Sequence, residues 1–308
     1  MLTRAATATL TAILVCLVTA CGSDAPPPIA PDTNSPPAPV RGVSTIDLGG
    51  RQFTIHVPGS YDPAKPAPLV ILLHGYTASG ARQEMYLKFT PESERRGFLY
   101  AYPDGQVDSR SNRYWNATDA CCDLDDSKVD DSTYLSKVIE KIQASYRVDA
   151  RRVYLVGHSN GAFMAFRMAC DHADQITAIV ALNGATWHDA SRCQPSGPVS
   201  VLDIRSTEDQ TIRYGGGNIR NNPYPSAAQT DADWVRFDRC ANRATKAPAF
   251  DLVSNLPGAE TKVTRYTTGC AGGSVVEAWT IDGGVHVPTF GPTFASSVMD
   301  FLLSRAKP

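Results

Sequence analysis

The feature that most constrains the fold is a serine flanked by glycines, at the junction of an apolar segment and a helix-forming segment. Ser159 stands at the centre of the pattern G-x-S-x-G, with the apolar run 153–156 before it and the helix-forming run 162–165 after it. This context predicts a strand, a very sharp turn and a helix. Side chains at Gly157 and Gly161 would clash in such a turn, which holds the serine in a strained backbone conformation. Ser159 is therefore predicted to project clear of the edge of a sheet.

From about Arg41 onward the chain alternates strand-like and helix-like segments. Runs rich in β-forming residues lie at 53–57, 69–73, 98–102, 153–156 and 179–182. One amphipathic helix is predicted from an apolar stripe at helical spacing, which consists of Leu135, Val138, Ile139, Ile142 and Tyr146. Asp130, Asp131 and Ser132 are candidate caps of its first turn, and the two aspartates are interpreted as structural rather than catalytic. The alternation predicts an α/β fold with a mostly parallel central sheet and helices on both faces.

A serine hydroxyl is a weak nucleophile at neutral pH, so the predicted site requires a general base. Only His188 and His286 follow Ser159 by enough residues to return from a later strand. His286 lies in a glycine-containing loop after the predicted strand 275–281, whereas His188 follows the strand 179–182 too closely. His286 is the predicted base, and a solvent-facing loop histidine is the alternative interpretation.

The base requires an acid that holds it in the correct tautomer. Residues 201–205 are predicted to form a strand, and Asp209 lies in the loop that follows its carboxyl end. Glu208 is a near alternative and Asp282 a distant one. The order Ser159, Asp209, His286 is the chain order of α/β-hydrolases.

Acyl transfer also needs hydrogen-bond donors aimed at the oxyanion that forms on the substrate. The N–H of Asn160, at the predicted start of a helix, is one candidate donor. The other is the N–H of Tyr76, because it follows His74 and Gly75 in an H-G-x pattern after the predicted strand 69–73. His74 itself is interpreted as structural.

The N-terminal residues have the pattern of an export signal. Arg4 precedes an apolar stretch at 10–18, and the residues around Cys21 read VTACG, which resembles the lipobox of bacterial lipoproteins. The prediction is a lipoprotein signal peptide at 1–20, lipidation of Cys21, a Pro-rich spacer at 21–40 and a catalytic domain at 41–308. An ordinary cleaved signal peptide with an incidental cysteine is the alternative. Either interpretation predicts an exported protein, anchored in the cell envelope by lipid or secreted.

Cysteine and charge composition narrow the function classes further. Of 8 cysteines, six lie beyond Cys21, and an even number in an exported protein predicts up to three disulfides, with Cys240–Cys270 the preferred pair. No pair of Cys or His residues has the short spacing of a zinc site, so no metal is predicted. The formal net charge of −2 provides no basic surface for nucleic acid.

The chain resembles the bacterial poly(3-hydroxybutyrate) depolymerase and feruloyl esterase family, which shares its fold with acetyl xylan esterases. The resemblance is carried by 72–75, 114–116, Cys121-Cys122, 129–131, 157–161, 206–209, 214–216 and 283–288. It implies the triad Ser159, Asp209 and His286, and a two-step acyl transfer without a cofactor. Many members have the pattern G-x-G-H-x-W-P at the histidine, whereas here Val285 and Val287 lie on either side of His286 and the tryptophan is missing. The family's usual glycine after the paired cysteines is Asp123 in this chain. Tyr114, Trp115 and Trp187 are candidates to contact an aromatic acyl group, with packing under loops as the alternative.

Three functions follow from these observations. The first is an esterase that releases feruloyl or acetyl groups from plant cell-wall polysaccharides such as xylan. The second is a depolymerase or oligomer hydrolase for polyhydroxybutyrate, which is the same chemistry on a polyester. The third, of another class, is a non-catalytic binding lipoprotein, and it predicts a broken triad.

Overall fold

The computed structural model describes residues 1–2 and 40–308. The predicted signal peptide, Cys21 and all but the last residue of the Pro-rich spacer therefore fall on residues that are not described, apart from Met1 and Leu2. Among the helices that are described, none is both long and apolar enough to cross a bilayer.

The described part of the chain is a succession of strands and helices. The strands are β1 (Gly42–Leu48), β2 (Arg51–Val57), β3 (Ala67–Leu73), β4 (Leu99–Pro103), β5 (Gln106–Val107), β6 (Arg113–Tyr114), β7 (Val148–His158), β8 (Ala178–Leu182), β9 (Ser200–Ser206), β10 (Gly217–Ile219), β11 (Asn222–Tyr224), β12 (Thr245–Phe250), β13 (Thr261–Tyr266) and β14 (Val276–Ile281). The helices are α1 (Gly80–Leu87), α2 (Thr90–Arg96), α3 (Asp131–Ser145), α4 (Asn160–Asp171), α5 (Ala227–Phe237) and α6 (Phe294–Leu303).

Ten strands form one sheet in the order β1-β2-β4-β3-β7-β8-β9-β14-β13-β12. The six central strands from β4 to β14 are mutually parallel, whereas the two strands at each edge pair antiparallel. Parallel strands bury both faces, and every residue of β3 and β8 is accordingly buried. The carboxyl ends of β7, β9 and β14 consequently lie at the same edge of the sheet.

Apolar helices cover both faces of this sheet. On one face α3, α4 and α5 bury residues such as Leu135, Phe163 and Trp234, and on the other α1 and α6 bury residues such as Leu87 and Phe294. Removal of this apolar surface from water is the main driving force for folding. The structure confirms the α/β prediction, a mostly parallel sheet with helices on both faces.

Helix α3 is the amphipathic helix that the apolar stripe predicted. Asp130 caps the helix, accepting a hydrogen bond from the N–H of Thr133, and the predicted stripe is buried through Ile142. Asp131 is fully buried and binds Arg51 Nη1 at 2.8 Å and the N–H of Asn116 at 2.9 Å. Both aspartates are structural, as predicted.

Three disulfides link the six cysteines that the structure describes. The predicted bond Cys240–Cys270 is confirmed, and the other two are Cys121–Cys122 and Cys170–Cys193. The bond between the adjacent cysteines Cys121 and Cys122 lies in the long connection that follows β4. Its position next to the candidate site is described below.

Candidate active site

Ser159 lies at the junction of β7 and α4 in a conformation that few non-glycine residues adopt. Its φ of 55° and ψ of −120° place it outside the common regions of backbone space. A Cβ at Gly157 would lie 2.0 Å from the carbonyl oxygen of Gly161, and a Cβ at Gly161 would lie 2.2 Å from the carbonyl oxygen of Leu73. The predicted reason for both glycines is therefore confirmed.

The structure brings the three predicted side chains together. His286 Nε2 lies 2.9 Å from Ser159 Oγ, and His286 Nδ1 lies 2.7 Å from Asp209 Oδ2. Asp209 is buried, and its Oδ1 accepts hydrogen bonds from the N–H groups of Thr211 and Ile212 at 2.8 Å each. The carboxylate is thus fixed in a position that orients the imidazole toward the serine.

The alternative residues lie away from this cluster. Glu208 is exposed, Asp282 binds Lys262 Nζ at 2.8 Å, and His188 is exposed. Asp209 occupies the hydrogen-bonding position at His286 Nδ1, which excludes Glu208 and Asp282 as the acid. His286 itself lies at Ser159 Oγ, which excludes His188 as the base.

Two residues that the sequence analysis did not single out hold the histidine loop. The carbonyl oxygen of His286 accepts hydrogen bonds from His158 Nε2 at 3.0 Å and from Asn183 Nδ2 at 3.1 Å. Asn183 also binds Ser206, donating to its Oγ at 3.1 Å and accepting from its N–H at 2.8 Å. Asn183 therefore connects the ends of β8 and β9 to the loop after β14.

His158 is kept neutral by its surroundings. Burial, followed by the charge of His286, lowers the pKa of His158 from 6.5 to about 4. Its Nε2 must carry the proton, since the partner is a carbonyl oxygen. Its position inside the G-x-S-x-G motif was visible in the sequence, but its partner was not.

The candidate oxyanion donors Tyr76 and Asn160 flank the serine. A Cβ on Gly75 would lie 3.4 Å from Ser159 Cβ, so the main chain that leads into Tyr76 runs directly beside the nucleophile. Asn160 is fully buried at the first position of α4. Within the described part of the chain, the N–H of Tyr76 binds no other main-chain group.

His74 fixes the loop that carries Tyr76. Its Nε2 accepts a hydrogen bond from the N–H of Gly105 at 2.9 Å, which leaves Nδ1 protonated to donate to the carbonyl oxygen of Gly75 at 2.8 Å. Burial lowers the pKa of His74 to about 4. This neutral ring, hydrogen-bonded at both nitrogens, has the structural role that the sequence predicted.

The side chain of Asn160 is bound at both ends to one residue. Its Oδ1 accepts from the N–H of Trp115 at 2.7 Å, and its Nδ2 donates to the carbonyl oxygen of Trp115 at 2.9 Å. The same Nδ2 lies 3.5 Å from Cys121 Sγ. The first turn of α4 is thereby tied to the loop that contains the Cys121–Cys122 disulfide.

The aromatic residues require a correction. Trp115 is completely buried, with its Nε1 donating to the carbonyl oxygen of His74 at 3.1 Å, and Tyr114 is 2% exposed, with its hydroxyl 2.6 Å from Ser127 Oγ. Trp187 is 7% exposed and lies under Arg192, whose Cζ is 4.1 Å from the ring centroid. Trp115 and Tyr114 therefore support the site from beneath and do not line it, because packing leaves no ring face open.

Exposed apolar side chains surround His286 instead. Val285 is 49% exposed, Val287 is 54% exposed, and Met85 of α1 is 68% exposed. Met85 and Val287 line a groove of about 660 Å³ between α1 and the segment that follows His286.

The arrangement is chemically complete for acyl transfer. An imidazole that hydrogen-bonds both a serine and a buried carboxylate can accept the hydroxyl proton and later return it to a leaving group. Main-chain N–H groups beside the serine can stabilise the oxyanion.

Comparison with known proteins agrees with this chemistry. The family model described as "Esterase PHB depolymerase" matches residues 53–210, which include Ser159 and Asp209. Feruloyl esterase B of Piromyces equi is 26% identical over 261 residues, which cover 82% of this chain and 46% of that protein. Poly(3-hydroxyalkanoate) depolymerase C of Paucimonas lemoignei is 29% identical over 183 residues, which cover 58% of this chain and 42% of that protein. The matched regions thus span less than half the length of either relative.

Solved structures agree on the fold. An acetyl xylan esterase from Aspergillus awamori superposes with a TM-score of 0.63 at 16% identity, covering 85% of this chain and 98% of that chain. Esterase PE8 superposes with a TM-score of 0.52 at 14% identity. Both are esterases of the α/β-hydrolase fold, and at such low identity the likeness concerns the fold alone.

Proposed function

Since the chain belongs to the esterase PHB depolymerase family, we propose that it is a serine carboxylic-ester hydrolase in which Ser159, His286 and Asp209 form the catalytic triad. The observation that carries the proposal is the pair of hydrogen bonds made by His286, 2.9 Å to Ser159 Oγ and 2.7 Å to Asp209 Oδ2.

The proposed reaction has two steps. Ser159 Oγ attacks the ester carbonyl while His286 Nε2 takes its proton, and the protonated imidazole then gives the proton to the departing alcohol. Water repeats the sequence on the acyl-enzyme and releases the acid. The N–H groups of Asn160 and Tyr76 stabilise the oxyanion, at about 3 kcal/mol for each donor. The scheme needs no cofactor.

The preferred substrates are feruloyl or acetyl esters of plant cell-wall polysaccharide. Two named likenesses support this choice, the feruloyl esterase of Piromyces equi and, at the level of fold, the acetyl xylan esterase of Aspergillus awamori. Trp115 and Tyr114 are buried, so the exposed side chains of Val285 and Val287, which flank His286 in the chain, are the candidates to contact the acyl group.

A polyhydroxybutyrate depolymerase or oligomer hydrolase is the second candidate. It is favoured by the groove of about 660 Å³ beside His286, whose lining includes Met85, Tyr86, Val287, Pro288 and Phe290. These apolar side chains can contact the methyl groups of a polyester segment.

One experiment decides between these functions. Hydrolysis of p-nitrophenyl acetate, methyl ferulate and a hydroxybutyrate trimer is measured for the wild type and for Ser159→Ala. We expect the alanine variant to lose essentially all activity, because no other nucleophile lies within reach of His286 Nε2 among the described residues. Equal, background-level rates for wild type and variant would instead support the non-catalytic binding lipoprotein.

Export and lipid anchoring complete the proposal. The apolar segment at 10–18 and Cys21 in its VTACG context support both, and disulfides persist mainly in oxidising compartments. We expect Cys21→Ser to move the protein from the membrane pellet to the soluble fraction of a bacterial host. An unchanged distribution would leave secretion without a lipid anchor.

A further inference from the structure

The short hairpin formed by β5 and β6, residues 106–114, packs against the loop that carries Tyr76. The hydroxyl of Tyr76 donates to Asp108 Oδ2 at 2.5 Å, and the N–H of Thr77 donates to the carbonyl oxygen of Arg113 at 2.9 Å. The residues on either side of the hairpin bind His74, as described above. The hairpin is thus attached to the side chain of Tyr76 and to the main chain that follows it, although the reaction scheme assigns the hairpin no part.

Asp108 lies at the centre of this contact. It is 7% exposed, and its Oδ1 accepts hydrogen bonds from the N–H groups of Arg110 and Asn112 at 2.9 and 2.8 Å. Burial acts to raise the pKa of Asp108, but the hydrogen bonds from Tyr76 and from these two N–H groups outweigh it and lower the pKa to about 2. One charged carboxylate therefore closes the turn between the two strands and also binds Tyr76.

The hydroxyl of Tyr76 also accepts hydrogen bonds from two other side chains of the hairpin. Arg110 Nη2 and Asn112 Nδ2 each lie 3.2 Å from the hydroxyl oxygen. A phenolic hydroxyl has one proton to donate, and Asp108 is the acceptor that faces it. Three hydrogen bonds to one hairpin therefore hold the ring end of Tyr76 in place.

The residue after Tyr76 has a backbone conformation that needs such support. Thr77 has a φ of 70°, which is rare for a residue branched at Cβ. Strain of this kind persists only where the surroundings hold it, and the N–H of Thr77 is bound by Arg113 of the hairpin. On the other side of Tyr76 the main chain runs beside the nucleophile, since a Cβ on Gly75 would lie 3.4 Å from Ser159 Cβ. The hairpin therefore restrains the segment from which the N–H of Tyr76 would meet the oxyanion.

We propose that Asp108 is a positioning residue, which acts through Tyr76 to hold the N–H of Tyr76 in the direction of the oxyanion. The inference rests on the proposed esterase function and deepens it, because it names the group that aligns one of the two oxyanion donors. A donor that is aligned before the reaction is effective, since no reorganisation is needed as the charge develops. Asp108 does not touch the substrate in this scheme, because both of its oxygens are occupied by the hairpin and by Tyr76.

The test removes the contact from either end. Tyr76→Phe deletes the hydroxyl and keeps the main-chain N–H, whereas Asp108→Asn leaves one oxygen for the N–H groups of the turn and none for the hydroxyl proton. The matched controls are Tyr266→Phe, at the opposite edge of the sheet, and Asp126→Asn, an exposed carboxylate of the same connection. For each variant kcat and KM are measured with p-nitrophenyl acetate, and Ki is measured with a trifluoromethyl ketone, whose adduct with Ser159 carries an oxyanion.

We expect Tyr76→Phe and Asp108→Asn each to lower kcat about 10-fold with little change in KM, a smaller loss than the roughly 10²- to 10³-fold caused by removing an oxyanion donor. Ki for the ketone should rise by the factor by which kcat/KM falls, because the adduct and the transition state share the oxyanion. The double variant should lose no more than either single variant, since both act through one contact. The two controls should match the wild type.

Two results would overturn the positioning role. Unchanged kcat and Ki, even with a lowered urea midpoint of unfolding, would show that the contact between Asp108 and Tyr76 is purely structural. A rise in KM at constant kcat would show that the hairpin acts on substrate binding instead.

The outcome is separable from that of the proposed function. If the wild type and Ser159→Ala hydrolyse p-nitrophenyl acetate equally slowly, the esterase proposal fails first. If Ser159 is required but Tyr76→Phe and Asp108→Asn behave like the wild type, only the positioning role of Asp108 fails.

Discussion

At the scale of single residues, the orientation of His286 depends on Asp209. Asp209→Asn preserves the size of the side chain, but the amide cannot stabilise a positively charged imidazole as the carboxylate does. We expect kcat for p-nitrophenyl acetate to fall on the order of 10⁴-fold, the loss associated with a wrong histidine tautomer. A matched Glu208→Gln variant should retain wild-type kcat, because Glu208 is exposed. A large loss in the Glu208 variant and none in the Asp209 variant would reassign the acid.

The second residue-scale expectation concerns Asn183. Asn183→Ala removes the donor to the carbonyl oxygen of His286 and both bonds to Ser206. We expect kcat to fall about 10-fold with little change in KM, since one or two hydrogen bonds hold the histidine loop and not the substrate. Asn242→Ala, an exposed asparagine, is the control. A rise in KM at constant kcat would show that Asn183 acts on substrate binding instead.

That Ser159, Asp209 and His286 come together was predictable from sequence because each position depends on local context. The G-x-S-x-G turn identifies Ser159, and His286 and Asp209 follow predicted strands in the expected chain order. The hydrogen-bond partners of Asn183 and His158 were not predictable, because these bonds form only where three loops meet. The burial of Trp115 could not be predicted from sequence either, since an aromatic residue before a loop can pack beneath the loop or face a ligand.

At the scale of elements, we expect two of the disulfides to have different roles, one in stability and one in activity. Cys240–Cys270 closes a loop with a sequence separation of 30 and Cys121–Cys122 one with a separation of 1. In the chain-entropy model, removing the longer link with Cys240→Ser/Cys270→Ser lowers the free energy of unfolding by about 3.5 kcal/mol. We expect that variant to unfold at lower urea and to retain kcat while folded.

Cys121→Ser/Cys122→Ser should have the opposite effect. The link between neighbours constrains the unfolded chain little, but the N–H of Cys122 donates to the carbonyl oxygen of Trp115, whose main chain also binds the side chain of Asn160. We expect kcat to fall about 10-fold with a small change in the urea midpoint. If the two cysteine variants instead lose the same property, the division between them is wrong.

The central strands of the fold and the edge strand β2 were predictable, whereas the outer strands β1 and β12 were not. The predicted parallel strands are apolar runs, as expected for strands buried on both faces. Strand β12 contains Pro248 and Lys246 and is largely exposed, so it has neither a continuous apolar run nor a regular alternation. Its place in the sheet comes from pairing with β13, which is a tertiary contact.

At the scale of the whole molecule, two sets of buried groups give the stability opposite pH dependences. The pKa values of His74 and His158 are lowered to about 4, so the unfolded chain binds more protons between about pH 4 and 6.5, and the fold loses stability as pH falls through that window. Burial raises the pKa values of Asp231 and Asp238 to about 7, so the folded chain binds more protons and stability falls as pH rises from about 4 to 7.

We therefore expect the free energy of unfolding of the wild type to change little with pH, and that of a variant lacking one of these groups to change more. Asp238→Asn keeps a side-chain oxygen for the N–H of Val199 but removes the titration. Its stability should exceed that of the wild type by an amount that grows between pH 4.5 and 7.5, to on the order of 4 kcal/mol. Urea unfolding at several pH values measures this difference, and parallel curves for the two proteins would contradict the assignment.

The separation of the sheet from the connections that surround Ser159 bears on how such an enzyme changes over evolution. The β10–β11 hairpin and the connection after β4 make no hydrogen bonds of the ten-stranded ladder. Lengthening a connection costs little, roughly 0.6 kcal/mol for each doubling. Under the proposed function, insertions in the β10–β11 hairpin can alter which esters are accepted while Ser159, Asp209 and His286 keep their positions. The connection after β4 is more constrained, because Trp115 in it binds the side chain of Asn160.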